Sequence, residues 1–194
     1  MSPPQILRAA DRAATPWKNG LGVTREIAVH PAGADLDSFD WRISMATVDA
    51  GGPFSNFSKV DRILAVLDGR LVLRIDGHAP AELDPDTAPL AFPGDIPVEA
   101  DLLAGPVTDL NVMTRRRRVR ASLERLLIVA PVELAVSQTT IILARTPDVC
   151  LFHRERRIRL DRDDAALFDG DERASIRLES DQPATLFVIR LTRA

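Results

Sequence analysis

Two separated stretches of the sequence resemble one another, and this internal repeat limits the folds open to the chain. The paired segments are residues 83–86 with 91–95, which recur as residues 160–163 with 167–171. The pairs Gly94-Asp95 and Gly170-Asp171 are 76 residues apart, and the same offset places residues 107–114 on 183–190 without a gap. Agreement of two segments at one offset indicates a duplicated supersecondary unit.

Short apolar runs separated by turn residues fill most of the chain, and this pattern predicts an all-β protein. The predicted strands are residues 41–48, 62–67, 71–75, 107–114, 128–136, 139–144 and 185–191. Residues 120–127 are predicted to form one short helix. We expect Asp68-Gly69 and Asp76-Gly77 to be the turns of a three-stranded meander, because glycine tolerates the positive φ that hairpin turns require.

Duplication of an all-β unit with a Gly-Asp turn before its last strand predicts a bicupin, two packed cupin-type β-barrel halves. We place the N-terminal half at residues 1–114 and the C-terminal half at 115–194. No Gly/Ser linker separates them, so we expect one compact unit, in which N-terminal strands can complete the second barrel.

The composition of the chain limits the classes of function that we expect. The chain has 194 residues, is 45% hydrophobic and carries a net charge of -3, which gives it no general attraction for nucleic acid. A single cysteine, Cys150, excludes an intrachain disulfide, and no apolar run reaches the roughly 20 residues of a membrane span. We therefore expect a cytoplasmic protein with no nucleic-acid or membrane partner, for which a homodimer is one conceivable assembly.

Metal and nucleophile chemistry lack the residues that they need. The only histidines are His30, His78 and His153, and no two of them are spaced to share one face of an element. We read His30 and His78 as loop residues and His153 as a surface residue, so no metal or other cofactor is predicted. Cys150 lies in an apolar run and is predicted to be core. There is no Gly-x-Ser-x-Gly elbow and no phosphate-binding glycine loop.

The run of four arginines at residues 115–118 is the strongest local basic feature. Strand alternation would place Arg115 and Arg117 on one face and Arg116 and Arg118 on the other. A divided run of this kind does not favour nucleic-acid binding.

Polar side chains share faces within two predicted strands. Alternation puts Arg42, Ser44 and Ala46 on one face, and in the later strand it groups Asp109, Asn111, Met113 and Arg115. An arginine inside a barrel needs a carboxylate partner, which can belong to the protein or to a ligand. Arg42 or Arg62 could pair with Asp109 or Glu26, and such a pair could also orient an arginine toward a ligand.

The loop that contains Trp17, Lys18 and Asn19 is bounded by glycines and precedes a strand. It offers an aromatic wall, a cation and an amide, although it could simply be a structured turn with Trp17 plugging one barrel end.

At these positions the sequence resembles the HutD/Ves family of bacterial cupin-like proteins. The matching segments are residues 16–20, 24–27, 41–44, 52–55, 61–62, 67–69, 92–95 and 109–115. One departure is Leu21, where the family has a third glycine. The resemblance implies a bicupin fold and a role in modulating histidine utilisation, with formylglutamate or a related small carboxylate as ligand. It also implies that the metal ligands of other cupins are absent here, since their place is taken by residues 52–57 and by Glu99.

We therefore predict a metal-free protein that binds a small carboxylate in the first barrel. The predicted ligand-binding residues are Trp17, Lys18, Asn19, Glu26, Arg42, Ser44, Arg62, Asn111 and Arg115. The alternative is a metal-independent isomerase or hydrolase, with Glu26, Glu99 or Asp109 as general base and Lys18 as cationic partner. A purely structural or protein-binding module is the third hypothesis.

Overall fold

The computed structural model describes residues 2–194, in which nearly all regular structure is β-strand. The strands are β1 (Gln5–Leu7), β2 (Ala14–Pro16), β3 (Gly22–His30), β4 (Trp41–Val48), β5 (Gly52–Pro53), β6 (Val60–Asp68), β7 (Leu71–Ile75), β8 (Ala81–Leu83), β9 (Leu90–Pro93), β10 (Val98–Leu102), β11 (Val107–Arg115), β12 (Val119–Ile128), β13 (Val132–Val136), β14 (Thr139–Ala144), β15 (Val149–His153), β16 (Arg156–Leu160), β17 (Ala165–Phe168), β18 (Ala174–Glu179) and β19 (Ala184–Arg193). The one helical segment in this part of the chain is a 3₁₀ turn, Ala9–Asp11. The predicted all-β class is confirmed.

The chain forms two compact units. The first unit comprises Arg12–Arg120 and the terminal Ala194. The second unit comprises Ala121–Arg193 and the N-terminal segment that ends at Asp11. The division along the chain therefore falls within β12, a few residues after the boundary expected from the sequence.

The first unit contains a six-stranded sheet and a four-stranded sheet. The orders are β2-β3-β4-β11-β6-β9 and β5-β10-β7-β8, and every pairing is antiparallel. Side chains from both sheets meet in one apolar core, to which β6 contributes Leu64 and Val66 and the smaller sheet contributes Leu73 and Val98. The face of the larger sheet that carries Leu64 is therefore the inner face of this unit.

The second unit repeats this strand order. Its sheets run β1-β17-β14-β19-β12 and β13-β18-β15-β16, so that β12, β19, β14 and β17 stand where β4, β11, β6 and β9 stand in the first unit. Thr140 pairs with Phe168 as Arg62 pairs with Phe92. In the neighbouring strands, Arg190 faces Thr140 and Met113 faces Arg62. The predicted gapless alignment of the last strands is thus wrong by one residue.

Residues 120–127 do not form the predicted short helix. They belong to β12, along which half-buried Ala121 and Leu123 alternate with exposed Ser122, a period of two that an extended chain satisfies. The predicted strand 128–136 is interrupted between β12 and β13, where Pro131 supplies no N–H for a sheet ladder.

The predicted meander is half correct. Asp76-Gly77 is the hairpin turn between β7 and β8, with Gly77 at a φ of 74°. Asp68-Gly69 instead connects strands of different sheets. Gly69 has a φ of 84°, and a Cβ there would lie 2.6 Å from the carbonyl oxygen of Pro106, so this corner requires glycine.

The arginine run is a turn, which makes the predicted alternation of its side chains wrong. β11 ends at Arg115, and Arg117 has a φ of 68°. Arg116 bonds the carboxylates of Asp61 and Asp95, which raise its guanidinium pKa further. In residues 2–194 we find no helix long and apolar enough to cross a membrane.

Candidate ligand site in the first unit

The register of the six-stranded sheet brings polar side chains into three adjacent rows on its inner face. Residues directly opposite each other in antiparallel strands share a face, so each row can be followed across the sheet. The arginine row contains Arg42, Met113, Arg62 and Phe92; the amide row contains Glu26, Ser44, Asn111 and Leu64; the aspartate row contains Thr24, Ala46, Asp109 and Val66. The two polar faces predicted from alternation are thereby joined into one surface.

Arg62 is buried in an aromatic cage. Only 5% of the residue is exposed. The guanidinium carbon lies 4.8 Å from the ring centre of Phe54, 5.2 Å from that of Phe92 and 5.9 Å from that of Phe57. These cation–π contacts stabilise the charge but provide no hydrogen-bond acceptor.

The hydrogen bonds of Arg62 are few. Its Nε donates to Oδ1 of Asn111 over 3.4 Å. Among residues 2–194, no hydrogen bond from its two terminal nitrogens is found, and no carboxylate forms an ion pair with it. Burial lowers the guanidinium pKa to about 10, although the nearby Asp109 charge opposes this shift. The protein holds a cation here whose two terminal NH₂ groups are left for another partner.

Asp109 is the second buried ionisable group of this face. The residue is 3% exposed, and its Oδ1 atom has no hydrogen-bond partner within the described chain. Burial raises the pKa of the carboxyl group to about 7, against the opposing attraction of Arg62. The predicted pairing of Arg62 with Asp109 is therefore an interaction at a distance and not an ion pair.

Arg42 forms the other predicted pair. Its Nε donates to Oε2 of Glu26 over 2.7 Å, and its Nη1 lies 3.4 Å from the Ser44 hydroxyl oxygen. A β-bulge shifts the register between Glu26 and Ala28. The Glu26 side chain is 41% exposed, whereas that of Arg42 is 16% exposed, so this pair has more access to water than Arg62.

The Trp17 loop lies against the same face. The indole Nε1 donates to Oγ1 of Thr24 over 2.7 Å. A Cβ on Gly22 would lie 3.1 Å from the indole ring and 2.8 Å from the carbonyl oxygen of Thr47, so glycine makes this packing feasible. Oδ1 of Asn19 accepts the N–H of Leu21, and Lys18 is exposed.

Arg115 has acceptors for every guanidinium nitrogen. It donates to the main-chain carbonyls of Asp37, Ser58 and Phe39, and it also packs on the Phe39 ring. These bonds fasten two loops to the end of β11. Of the nine predicted residues, Arg115 is therefore the one most fully engaged by the protein itself.

Four predicted environments outside this face need revision. His30 is not a loop residue, because it ends β3, pairs with Trp41 and stacks on its ring. His153 is 2% exposed and not a surface residue, because it follows Val149 and Leu151 on the buried side of β15; burial lowers its pKa. Cys150 is only half-buried and contacts the Arg157 guanidinium. Glu99 is exposed, on the side of β10 opposite the core.

Sequence reasoning missed the aromatic cage. Phe54 and Phe57 come from the loop after β5, and Phe92 comes from β9. The run Phe54-Ser55-Asn56-Phe57, with two aromatic residues in a polar loop, was the available signal. Within residues 2–194, no group of three or more His, Cys, Asp or Glu side chains is arranged to hold a metal ion.

Comparison with known proteins identifies relatives over most of the chain. A family model described as HutD matches residues 9–187. An uncharacterised 21.2 kDa protein in the hutC 3' region of Pseudomonas putida is 42% identical over 64% of this chain and 65% of its own length. Protein Ves of Cronobacter sakazakii is 41% identical over 54% of this chain and 57% of its own length. The matched stretch thus spans less than two thirds of either relative.

Solved structures extend the similarity to the whole fold. A conserved protein of unknown function from Pseudomonas aeruginosa PAO1 has a TM-score of 0.91 and 34% identity, covering 98% of this chain and 99% of its own. HutD from Pseudomonas fluorescens SBW25, in a formate condition, has a TM-score of 0.83 and 30% identity at the same coverage. A cupin 2 barrel protein from Leptotrichia buccalis, with a TM-score of 0.63, 5% identity and coverage of 99% and 98%, shares the fold alone.

Proposed function

Because the chain belongs to the HutD family, which is associated with histidine utilisation, we propose that it binds a small carboxylate metabolite of that pathway without a metal ion. Formylglutamate or a related pathway intermediate is the ligand that we put forward. In this proposal the protein modulates the pathway by capturing that metabolite on the inner face of its first unit.

The buried guanidinium of Arg62 is the observation that carries this proposal. An unpaired charge inside a protein costs several kcal/mol, so buried arginines normally pair with a carboxylate. Here the cage supplies aromatic faces but no acid, and both terminal nitrogens lack acceptors among the described residues. A ligand carboxylate can accept both donors at once, in the bidentate geometry that arginine favours.

The amide row supplies polar groups beside this cation. Oδ1 of Asn111 faces the Arg62 Nε, which leaves its NH₂ group available to donate elsewhere. The Ser44 oxygen accepts from Arg42, so its hydroxyl proton is also available. Trp17 lies over the same sheet face, and we propose that its loop, with Lys18 and Asn19, covers the bound ligand.

Titration calorimetry with formylglutamate and urocanate tests the proposal. Arg62→Met removes the charge and keeps most of the volume, so it should abolish binding of the ligand that the wild-type protein binds. Arg74→Met is the matched control, because Arg74 is exposed and paired with Asp101 on the outer side of β7. Failure of both compounds to bind the wild type, or unchanged binding by Arg62→Met, would contradict the proposal.

A metal-independent enzyme is the second candidate, because one observation favours it. A carboxyl group with a pKa near 7 suits general-base catalysis, and Asp109 has this property. Glu26 is engaged with Arg42, and Glu99 lies outside the core. Proton NMR of each compound after prolonged incubation with the protein and a chelator would reveal turnover, and Asp109→Asn should then abolish it.

A further inference from the structure

The Asp109 carboxyl lies on the same inner face as Arg62 but is not bonded to it. Asp109 stands on β11 two rows away from the arginine row, and the amide row lies between them. Rows on one face are about 6.8 Å apart, because each is two residues further along a strand. Asn111, which accepts from Arg62 Nε, therefore stands in the row between the guanidinium and this carboxyl, and an anion bound beside Asn111 would have both as neighbours.

The environment of Asp109 is poor in charge. From the six-stranded sheet, the charged groups on its face are Arg62 on β6, Arg42 on β4, Glu26 on β3 and Arg115 at the far end of β11. Arg42 and Glu26 neutralise each other, and Arg115 is held by main-chain carbonyls. The four-stranded sheet presents only apolar side chains to the same core: Leu71, Leu73, Ile75, Leu83, Val98 and Ala100. Among the described residues, Arg62 is thus the cation whose charge acts on Asp109 and can balance a negative charge placed here.

A single guanidinium cannot neutralise two anions. If Asp109 were ionised while a carboxylate occupied Arg62, two like charges would face each other in an apolar core, at a large electrostatic cost. A protonated Asp109 removes the repulsion and provides an O–H donor. The orphaned, fully buried Oδ1 atom shows that the protein itself offers no partner for that donor among the described residues.

We propose that Asp109 is a ligand-binding residue that is protonated in the complex and donates its O–H to the carboxylate held by Arg62. This inference rests on the proposed function. Each ligand bound then takes up one proton from solvent when Asp109 is ionised in the free protein. The raised pKa of the Asp109 carboxyl in the empty site agrees with this step, because an added anion raises it further.

This arrangement also restricts the chemistry of the ligand. The ligand group that faces Asp109 must be an oxygen acceptor, such as the second oxygen of a carboxylate. A ligand that placed an N–H donor there would instead favour the ionised form, and its affinity would rise with pH.

Titration calorimetry of the wild-type protein with formylglutamate, from pH 6 to 8.5, tests the inference. Affinity should be nearly constant below pH 7 and fall about tenfold for each pH unit above it, because one proton is taken up. At pH 8, the binding enthalpies measured in phosphate and in Tris should differ by the difference between the ionisation enthalpies of the two buffers, multiplied by close to one proton. Asp109→Asn, whose NH₂ also donates, should bind with a pH-independent affinity and no proton uptake; Glu82→Gln, on the exposed surface, should behave like the wild type.

The outcomes separate the two ideas. Binding that is lost in Arg62→Met but shows no proton uptake and no pH dependence overturns the role of Asp109 and leaves the carboxylate site standing. Affinity that rises with pH overturns it in favour of a ligand donor facing an ionised Asp109. Absence of binding by the wild type at every pH overturns both.

Discussion

The two units place different side chains at the same position of the same strand order. In the first unit, β6 presents Arg62 opposite Phe92, and in the second unit, β14 presents Thr140 opposite Phe168. Thr140 is fully buried, but its hydroxyl donates to the carbonyl of Ser137 three residues away. The short Thr140 side chain thus finds a hydrogen-bond acceptor locally, whereas the terminal nitrogens of Arg62 have no acceptor among the described residues.

The cores of the two units differ in the same way. The second unit has an extensive aliphatic core in which most side chains are fully buried, including Ile142, Leu151 and Leu186. The first unit interrupts its core with Arg62, Asp109 and Asn111. The same architecture therefore serves as a packed support in one unit and as a candidate ligand site in the other.

An arginine introduced at the equivalent position of the second unit should have the largest effect on stability. Thr140→Arg would bury a cation among aliphatic side chains without the cage of the first unit, so we expect a loss of about 3–5 kcal/mol in the free energy of unfolding. Urea denaturation measures this loss. Thr139→Arg is the control, because the Thr139 hydroxyl bonds the side chain of Asp169 near the surface. This substitution should cost under about 1 kcal/mol. Equal losses in both variants would show that the two interiors do not differ as described.

Asp109→Asn should stabilise the protein at alkaline pH. The folded pKa of about 7 is above the unfolded value, so the folded state binds the proton more tightly. Stability contributed by this carboxyl is complete below about pH 4 and is lost as pH rises to about 7, by up to about 4 kcal/mol. Urea denaturation at pH 5 and pH 8 should show a smaller decline in the variant. An unchanged decline would assign it to another group.

Arg62→Met should stabilise the ligand-free protein while it removes binding. Replacing a buried, unpaired charge by an apolar side chain of similar volume is expected to gain about 1–3 kcal/mol. Thermal melting measures the gain, and the exposed Arg74→Met variant should melt within a degree or two of the wild type. A clear loss of stability in Arg62→Met would mean that the cage contacts outweigh the cost of burying the cation.

His153→Leu should reduce the sensitivity of the second unit to acid. The folded pKa of His153 is lowered, chiefly by burial, so below about pH 6.5 the unfolded chain binds the proton more tightly. Stability is then lost as pH falls, by at most about 1.4 kcal/mol per pH unit. This is the opposite slope to that of Asp109. Unfolding followed between pH 5 and 7 should be flatter in the variant, and an equal slope would contradict the assignment.

The sequence predicted those features that depend on alternation within a strand or on family resemblance. The all-β class, the shared face of Arg42 and Ser44, and the HutD resemblance are confirmed. The orientation of His153 could also have been predicted, since alternation from Val149 places it inward on β15. The apolar run around Cys150 ends at Phe152, one residue before His153, and this concealed the orientation.

Features that depend on contacts between distant segments could not be predicted in the same way. The Asp68-Gly69 turn has the sequence of a hairpin, but the close approach of Pro106 makes it a corner between sheets. The cage around Arg62 joins a loop and a strand separated by 35 residues, from Phe57 to Phe92. The register of β3 brings Glu26 to Arg42, so Arg42 and not Arg62 forms the ion pair with this carboxylate.

Strand β1 pairs with a strand from much later in the chain, and this affects the order in which the sheets can form. It pairs with β17 through Gln5 and Leu167, and Arg8 and the Ala9 N–H bond the buried carboxylate of Asp164. Pairing of β1 therefore requires the chain to be made as far as β17, whereas Arg12–Arg120 contains every strand of its own two sheets. A fragment that begins at residue 121 would consequently lack this edge strand, and a variant in which a linker replaces Arg12–Arg120 and joins residue 11 to residue 121 would restore it.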